Sequence, residues 1–276
     1  LVYNKIVFIE TDMIITSAKN PLVVEVCRLH KASVRKEQNS VIIDGAREIS
    51  LAIKAGWEID RLFYCLSLVK SEITGHHSLF GLGQEKVIEV SEAVFKKICY
   101  KENAEGFLAV AKRRAASWPE ESLTEQSLVL VLEKLEKPGN LGAIMRTAAA
   151  AGVAAIIIND NQTDIYNPNV IRASEGEVFN QVVVVSTKEE TKDWLKRHKF
   201  KTIAAATNGR RSYTKVDLHG RLALVLGSEA DGLGAFWLEN ADELVKIPML
   251  SDQDSLNVSV SAAIIIFEAL RQKGLI

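Results

Sequence analysis

"SLVLVLEKLEKPGNLGAIMRTAAAAG", residues 127–152, opens on an apolar run and closes on an alanine-rich one. Leu128 to Leu132 show no alternation of polar and apolar residues. A short run of this kind is a strand covered on both faces, which belongs to a parallel sheet. The tight turn Pro138-Gly139-Asn140 then starts a helix that Gly152 stops. Asn140 is expected to cap that helix, and Gly139 and Gly142 to let backbone or ligand come close. Ala148 to Ala151 allow tight packing. Arg146 breaks the pattern, because a guanidinium there needs an anion or a dense set of acceptors. Taken by itself it fits a structural ion pair or an exposed helix face as well as it fits a site.

The same pattern repeats downstream. "AAIIIND" (154–160), "QVVVVS" (181–186), "KTIAAAT" (201–207) and "LALVLGSE" (222–229) read as further buried parallel strands. "TKEETKDWLKRHK" (187–199) reads as a surface helix, and a last helix runs from about Leu256 to Lys273, before Gly274. Upstream, "NPLVVEVCRLHKAS" (20–33) is a helix capped by Asn20 with Pro21 at its first position. "SVIID", "RLFYCL" and "GFLAVAK" are strands, and "GAREISLAIKAG" is a helix closed by Gly56. The polar stretch 113–126, with Pro119, reads as a linker. The chain is therefore α/β throughout, with a small three-layer front domain over 1–115, a linker over 116–126 and a parallel-sheet domain over 127–276.

With 276 residues, 47% hydrophobic and 25% charged, the chain can bury a real core. It holds no run of the roughly 18 to 20 apolar residues a membrane span needs. The opening "LVYNKIVFIETDM" carries Lys5, Glu10 and Asp12 and does not read as a signal peptide. The net charge of −1 hides an asymmetry: residues 1–115 hold 17 basic and 14 acidic residues, and the remainder 17 and 21. Lys19, Arg28, Lys31, Arg35 and Lys36 cluster in the front part and favour a polyanionic partner. Cys27, Cys65 and Cys99 lie far apart among apolar residues and read as reduced core cysteines of a cytoplasmic protein. His76-His77 reads as a solvated pair, and no Cys/His cluster has the spacing of metal ligands.

Ligands of open parallel sheets bind beyond the carboxyl ends of the strands. Besides the turn at 138–140, two such ends are unusual. In "LGSEADGLG" (226–234), Gly227 and Gly232 bracket Glu229 and Asp231, and Glu229 could pair with Arg146. In "IPMLSDQDSLNVSVSAA" (247–263), Ser255 can cap the last helix, while Asn257 at its start needs a bond to justify it. There is no GxxxxGK[ST] phosphate loop and no GxGxxG at the strand–helix turn; "FGLGQ" (80–84) is a lone GxG outside that setting. The glycine-rich loop usual in methyltransferases is absent as well.

Together, "NLGAIMRTAAAAG", "LVLGSEADGL" and "IPMLSDQDSLNVSVSAAIIIFEA" resemble the three motifs of the SpoU-type (TrmH-like) RNA 2′-O-ribose methyltransferases of the SPOUT superfamily, in the family's order. The front part, from "ITSAKNPLVVEVCRLHKASVRKEQNSVIIDGAREI" to "EGFLAVAK", is similar to the family's L30e-like substrate-binding domain. The resemblance implies a deep trefoil knot in the C-terminal parallel sheet, a homodimer, and S-adenosylmethionine as cofactor. It implies cofactor contacts around Leu226, Gly227, Ile247, Met249 and Leu256, with Thr207 as a further candidate. Arg146 matches the motif arginine assigned to the ribose hydroxyl, Asn140 the asparagine ahead of it, Glu229 the second-motif glutamate, and Ser255 and Asn257 the polar pair of the third motif. Lys137 and Glu175 depart from the pattern, and Arg172 and Ser174 beside Glu175 are candidate RNA contacts. The resemblance implies ribosomal RNA as substrate, with transfer RNA, or a non-catalytic RNA-binding role in ribosome assembly, as alternatives.

Overall fold

A computed structural model describes residues 14–69, 80–101, 103–115, 117–250 and 255–276. The opening residues 1–13 and His76-His77 lie outside the described residues. The chain divides into two compact units, 1–114 with 166–180, and 115–165 with 181–276.

The first unit is built on a four-stranded sheet of order β1-β4-β2-β3: β1 (Ser40–Asp44), β2 (Ile59–Tyr64), β3 (Val87–Glu89) and β4 (Phe107–Lys112). β4 runs antiparallel to both β1 and β2, and β3 parallel to β2. α1 (Pro21–Arg28) and α4 (Glu92–Ile98) pack on one face, where Val23, Val26, Phe95 and Ile98 meet Ile42, Phe63 and Leu108. Side chains alternate across a strand, so Ile43 and Ala109 point to the other face, against α3 (Ala46–Lys54). Asn20 and Pro21 start α1 as expected. The expected helix 20–33 instead stops at Arg28, and a second helix, α2 (Ala32–Glu37), follows. Arg35 accounts for the break. Its guanidinium donates to the Leu29 and His30 carbonyls, both at 2.8 Å, and closes the end of α1.

Residues 166–180, which the sequence reading assigns to the second part, pack within the first unit. They include α6 (Pro168–Ala173), and α6 touches β1. Trp57 Nε1 donates to the Phe179 carbonyl at 3.1 Å, and the indole meets Tyr166 and Phe179 edge-on.

The second unit holds a seven-stranded sheet of order β7-β6-β5-β10-β8-β11-β9, parallel at every pairing. Its strands are β5 (Leu128–Glu133), β6 (Ala155–Asn159), β7 (Val183–Ser186), β8 (Lys201–Ala205), β9 (Arg211–Ser212), β10 (Leu222–Leu226) and β11 (Glu243–Lys246). The five strands read from the sequence are all present; β9 and β11 are too short and too polar for that reading. α5 (Pro138–Ala150), α7 (Lys188–Arg197), α8 (Ala235–Asn240) and α9 (Val258–Gln272) complete the unit, and α9 packs on α5 and β10. The residues read as a linker join this unit: Trp118 stacks on the buried Trp194 at 4.8 Å.

Candidate active site

β5 and β10 lie side by side at the centre of the sheet, with Leu132 opposite Leu226. From β5 the chain passes to β6 on one side, whereas β10 is followed by β11 on the other. Connections leaving neighbouring parallel strands in opposite directions open a crevice at their carboxyl ends. The three singled-out segments converge there.

Asn140 lies in the first turn of α5. It does not cap the helix, as the sequence suggested. Lys137 is the capping position, with no side-chain bond, and Pro138 is the first helical residue. Pro138 fixes the backbone, and its missing N–H costs nothing at that position. The Asn140 side chain is thereby released for another use: its Nδ2 donates to Glu229 Oε1, and its Oδ1 accepts from Asn257 Nδ2 at 3.1 Å.

Asn257, not Ser255, caps α9. Its Oδ1 accepts from the Ser259 N–H at 2.9 Å and the Ser259 hydroxyl at 2.6 Å. A carboxamide both accepts and donates, so one residue caps a helix and reaches Asn140. Ser255 stands exposed just ahead of it. Ser259, Asn257, Asn140 and Glu229 thus form one directed chain of donors ending on a carboxylate, and such chains polarise one another. Arg146 is exposed on α5, roughly 9 Å of helical rise beyond Asn140 at 1.5 Å per residue.

Glu229 is held by a tight loop. The Ser228 N–H donates to the Gly232 carbonyl at 3.0 Å, the Gly232 N–H donates to the Ser228 carbonyl at 3.1 Å, and the Asp231 N–H bonds the Ser228 hydroxyl at 3.0 Å. Gly232 sits at φ 68°, and a Cβ on Gly227 would run into the Gly232 backbone. Both glycines are therefore required by geometry. The far end of the loop is tied to Glu133, fully buried at the end of β5, whose Oε2 accepts from the Gly234 N–H at 2.7 Å. Lys188 lies 3.9 Å from the other oxygen and 3.0 Å from Asp160, which holds the ammonium in its charged form.

The remaining candidates follow the same sheet edge. Leu226 and Gly227 are buried at the end of β10, Ile247 and Met249 are half-buried after β11, and Thr207 is exposed in the turn after β8. Leu250 and Leu256 are exposed apolar side chains flanking residues 251–254, which lie outside the described residues. Gly209 was not singled out by the sequence. A Cβ there would strike the Val245 carbonyl, so the turn after β8 presses on the end of β11.

The basic cluster of the first unit is only partly a surface. Lys19, Arg28, Lys31 and Lys36 are exposed, but Arg35 is buried and spent on carbonyls. Ser174 is also buried and bonds the Ile171 carbonyl at 3.0 Å, so it cannot be the surface contact expected of it. Arg172 is exposed. Of the three free cysteines only Cys65 is a core residue; Cys27 and Cys99 are half-buried. Among the described residues no group of His, Cys, Asp and Glu could hold a metal ion, and no helix is long and apolar enough to cross a membrane.

A family model described as the SpoU rRNA methylase family matches residues 127–267, which span all three segments. The chain belongs to that family. A second model, the MRM3-like substrate binding domain, matches residues 20–109. Over 253 residues this SpoU family member is 30% identical to the 23S rRNA (guanosine(2553)-2′-O)-methyltransferase RlmP of Bacillus subtilis, covering 92% of this chain and 97% of that protein. It is similar to the crystal structure of an RNA 2′-O ribose methyltransferase, with TM-score 0.84 and 39% identity over 96% of this chain and 100% of that one. It is also similar to an AdoMet-bound rRNA methyltransferase from Sinorhizobium meliloti, with TM-score 0.83 and 28% identity over 94% and 97%. Glu133, like Gly209, supports the candidate site of this SpoU chain and was missed by sequence reasoning. Its signal was present, as a carboxylate at the end of a strand covered on both faces.

Proposed function

We propose that this chain transfers a methyl group from S-adenosylmethionine to a ribose 2′-hydroxyl of RNA. The observation that carries the reading is the bonded chain Asn257–Asn140–Glu229, which ties three separate segments together at the switch point of the sheet. The full-length likeness to a 23S rRNA enzyme favours ribosomal over transfer RNA as substrate. The intact set Asn140, Arg146, Glu229, Ser255 and Asn257 speaks against a non-catalytic assembly role.

The residues fit the cofactor. Ile247, Met249, Leu250 and Leu256 offer apolar surface for a purine, Leu226 and Gly227 are buried at the end of β10, and Thr207 offers an exposed polar side chain after β8. When bound, the cofactor supplies an electrophilic methyl carbon. Glu229 and Asn257, fixed through Asn140, orient the hydroxyl. Arg146 stabilises its developing negative charge or holds the adjoining phosphate. A guanidinium does not give up its proton in a protein, so Arg146 is not the base. The hydroxyl proton leaves to phosphate, water or a neighbouring group.

The first unit is the L30e-like RNA-binding part, with Lys19, Arg28, Lys31, Lys36 and Arg172 as contacts. β10, inserted between the earlier strands β5 and β8, supports a knotted chain. Val260 and Phe267, exposed on α9, support a homodimer. A ribosomal RNA substrate fits a cytoplasmic site of action. Calorimetric titration with S-adenosylmethionine, followed by methyl transfer to rRNA and tRNA, tests the reading; absence of cofactor binding overturns it. Arg146→Lys should lower turnover about 100-fold with cofactor binding retained; near-normal turnover would remove any special role for the guanidinium.

A further inference from the structure

Tyr100 follows α4 in the first unit and leaves 39% of its surface in solvent, yet it is held at three points. Its backbone N–H and that of Lys101 donate to Asp44 Oδ2 at 2.8 and 2.9 Å, and Asp44 is buried at the end of β1. Its hydroxyl accepts from Asn169 Nδ2 at 3.0 Å. The His30 ring meets it edge-on, with centroids 6.0 Å apart, and His30 is itself fixed by Nε2 to the Ile98 carbonyl at 2.9 Å. An exposed tyrosine with nothing to do has no need of a buried carboxylate beneath it and an amide at its tip.

Its neighbours carry both signs of charge, and one cation among them is left over. Tyr100 and Arg172 line one shallow depression with Lys101, Pro168 and Ile171. Lys101 is neutralised by Glu105 at 2.9 Å and Glu48 at 3.3 Å. Glu175, the carboxylate closest to Arg172 in sequence, is taken by Arg47 at 2.5 Å. Arg172 is exposed, with no carboxylate partner among the described residues. Lys31, exposed, follows His30 directly.

We propose that Tyr100 and Arg172 form a nucleotide-binding site for unpaired RNA: a base stacks on the phenol ring and its phosphate meets the guanidinium. A π-face accepts any base, and a ring fixed in advance loses little entropy on stacking. Unpaired, splayed bases are the usual targets of proteins that recognise RNA, and stacking on aromatic rings is a usual means. The site rests on the RNA methyltransferase reading and locates where that substrate is gripped outside the catalytic unit.

The probe is a 5′-fluorescein stem-loop RNA with an unpaired loop, titrated into the full chain by anisotropy over a range of salt. Tyr100→Ala and Tyr100→Leu should weaken binding about 5- to 100-fold with the salt slope unchanged, because stacking releases no counterions. Tyr100→Phe should stay within about threefold of wild type. Arg172→Ala should weaken binding and flatten the slope by about 0.7. With 5-iodouridine in the loop, irradiation should crosslink the RNA to Tyr100. An unchanged circular-dichroism spectrum and unchanged urea midpoints in every variant show that the first unit, which carries Tyr100 and Arg172, remains folded. If wild type binds RNA and Tyr100→Leu binds it equally well, the site is refuted and the enzyme reading stands. If Phe loses as much as Ala, the tyrosine is a structural brace and the site is refuted. If wild type binds no RNA at all, the enzyme reading falls and the site falls with it.

Discussion

Asn140 shows how one side chain can be singled out from sequence and given another task by the fold. Its type and place beside a helix start suggested a cap. Pro138 already starts the helix, so the amide is released to bridge Glu229 and Asn257. Asn140→Asp makes this testable. A second carboxylate in contact with Glu229 favours a shared proton, which at acid pH replaces the amide's. Raising the pH removes that proton and drives the pair apart. The variant should retain about a tenth of wild-type kcat/KM at pH 6 and about a hundredth at pH 9. A ratio that does not change between the two pH values would show that the Asn140–Glu229 contact is idle. Arg35 carries the opposite lesson. It belonged to a plausible basic patch, but free carbonyls at the end of α1 lay closer than solvent.

At the scale of elements, the second-motif loop is shaped from both ends. Gly227 and Gly232 allow the turn, and Glu133 holds its exit through the Gly234 N–H. Glu133→Ala leaves that donor and Lys188 without their buried partner. Loss of a buried charged acceptor costs about 2 to 4 kcal/mol, which urea unfolding should report as a lower midpoint with unchanged slope. Turnover should fall as well, because Glu229 sits on the loosened loop; an unchanged midpoint would mean that the loop holds itself. Elements were legible wherever the signal is local. Asn20-Pro21 starts α1, Thr187 with Glu190 makes a reciprocal capping box for α7, and the Val/Ile/Leu runs form β5, β6, β7 and β10. β3, β9 and β11 were missed because two to four residues carry no readable period.

For the molecule as a whole, the exposed stripe on α9 bears on assembly. Val260 and Phe267 are 46% and 41% exposed, seven residues apart on one helix face, on an element that also packs on α5. Phe267→Glu places a charge in the proposed dimer contact and should raise the dimer dissociation constant at least about tenfold, as measured by sedimentation. A wild-type chain that sediments as a monomer at micromolar concentration would remove the dimer outright.

By itself the sequence determined the α/β class, the parallel strands, the helix starts with local caps, and the three segments that form the candidate site, because these depend on periodicity and on residues within a few positions of each other. Only the tertiary structure decided the strand order that brings β10 against β5, the burial of Arg35 and Ser174, the transfer of 166–180 to the first unit, and the joining of Asn140, Glu229 and Asn257. Each of these is a choice among partners far apart in the chain. Which partner wins is set by packing and by the satisfaction of buried polar groups, and no local pattern records it.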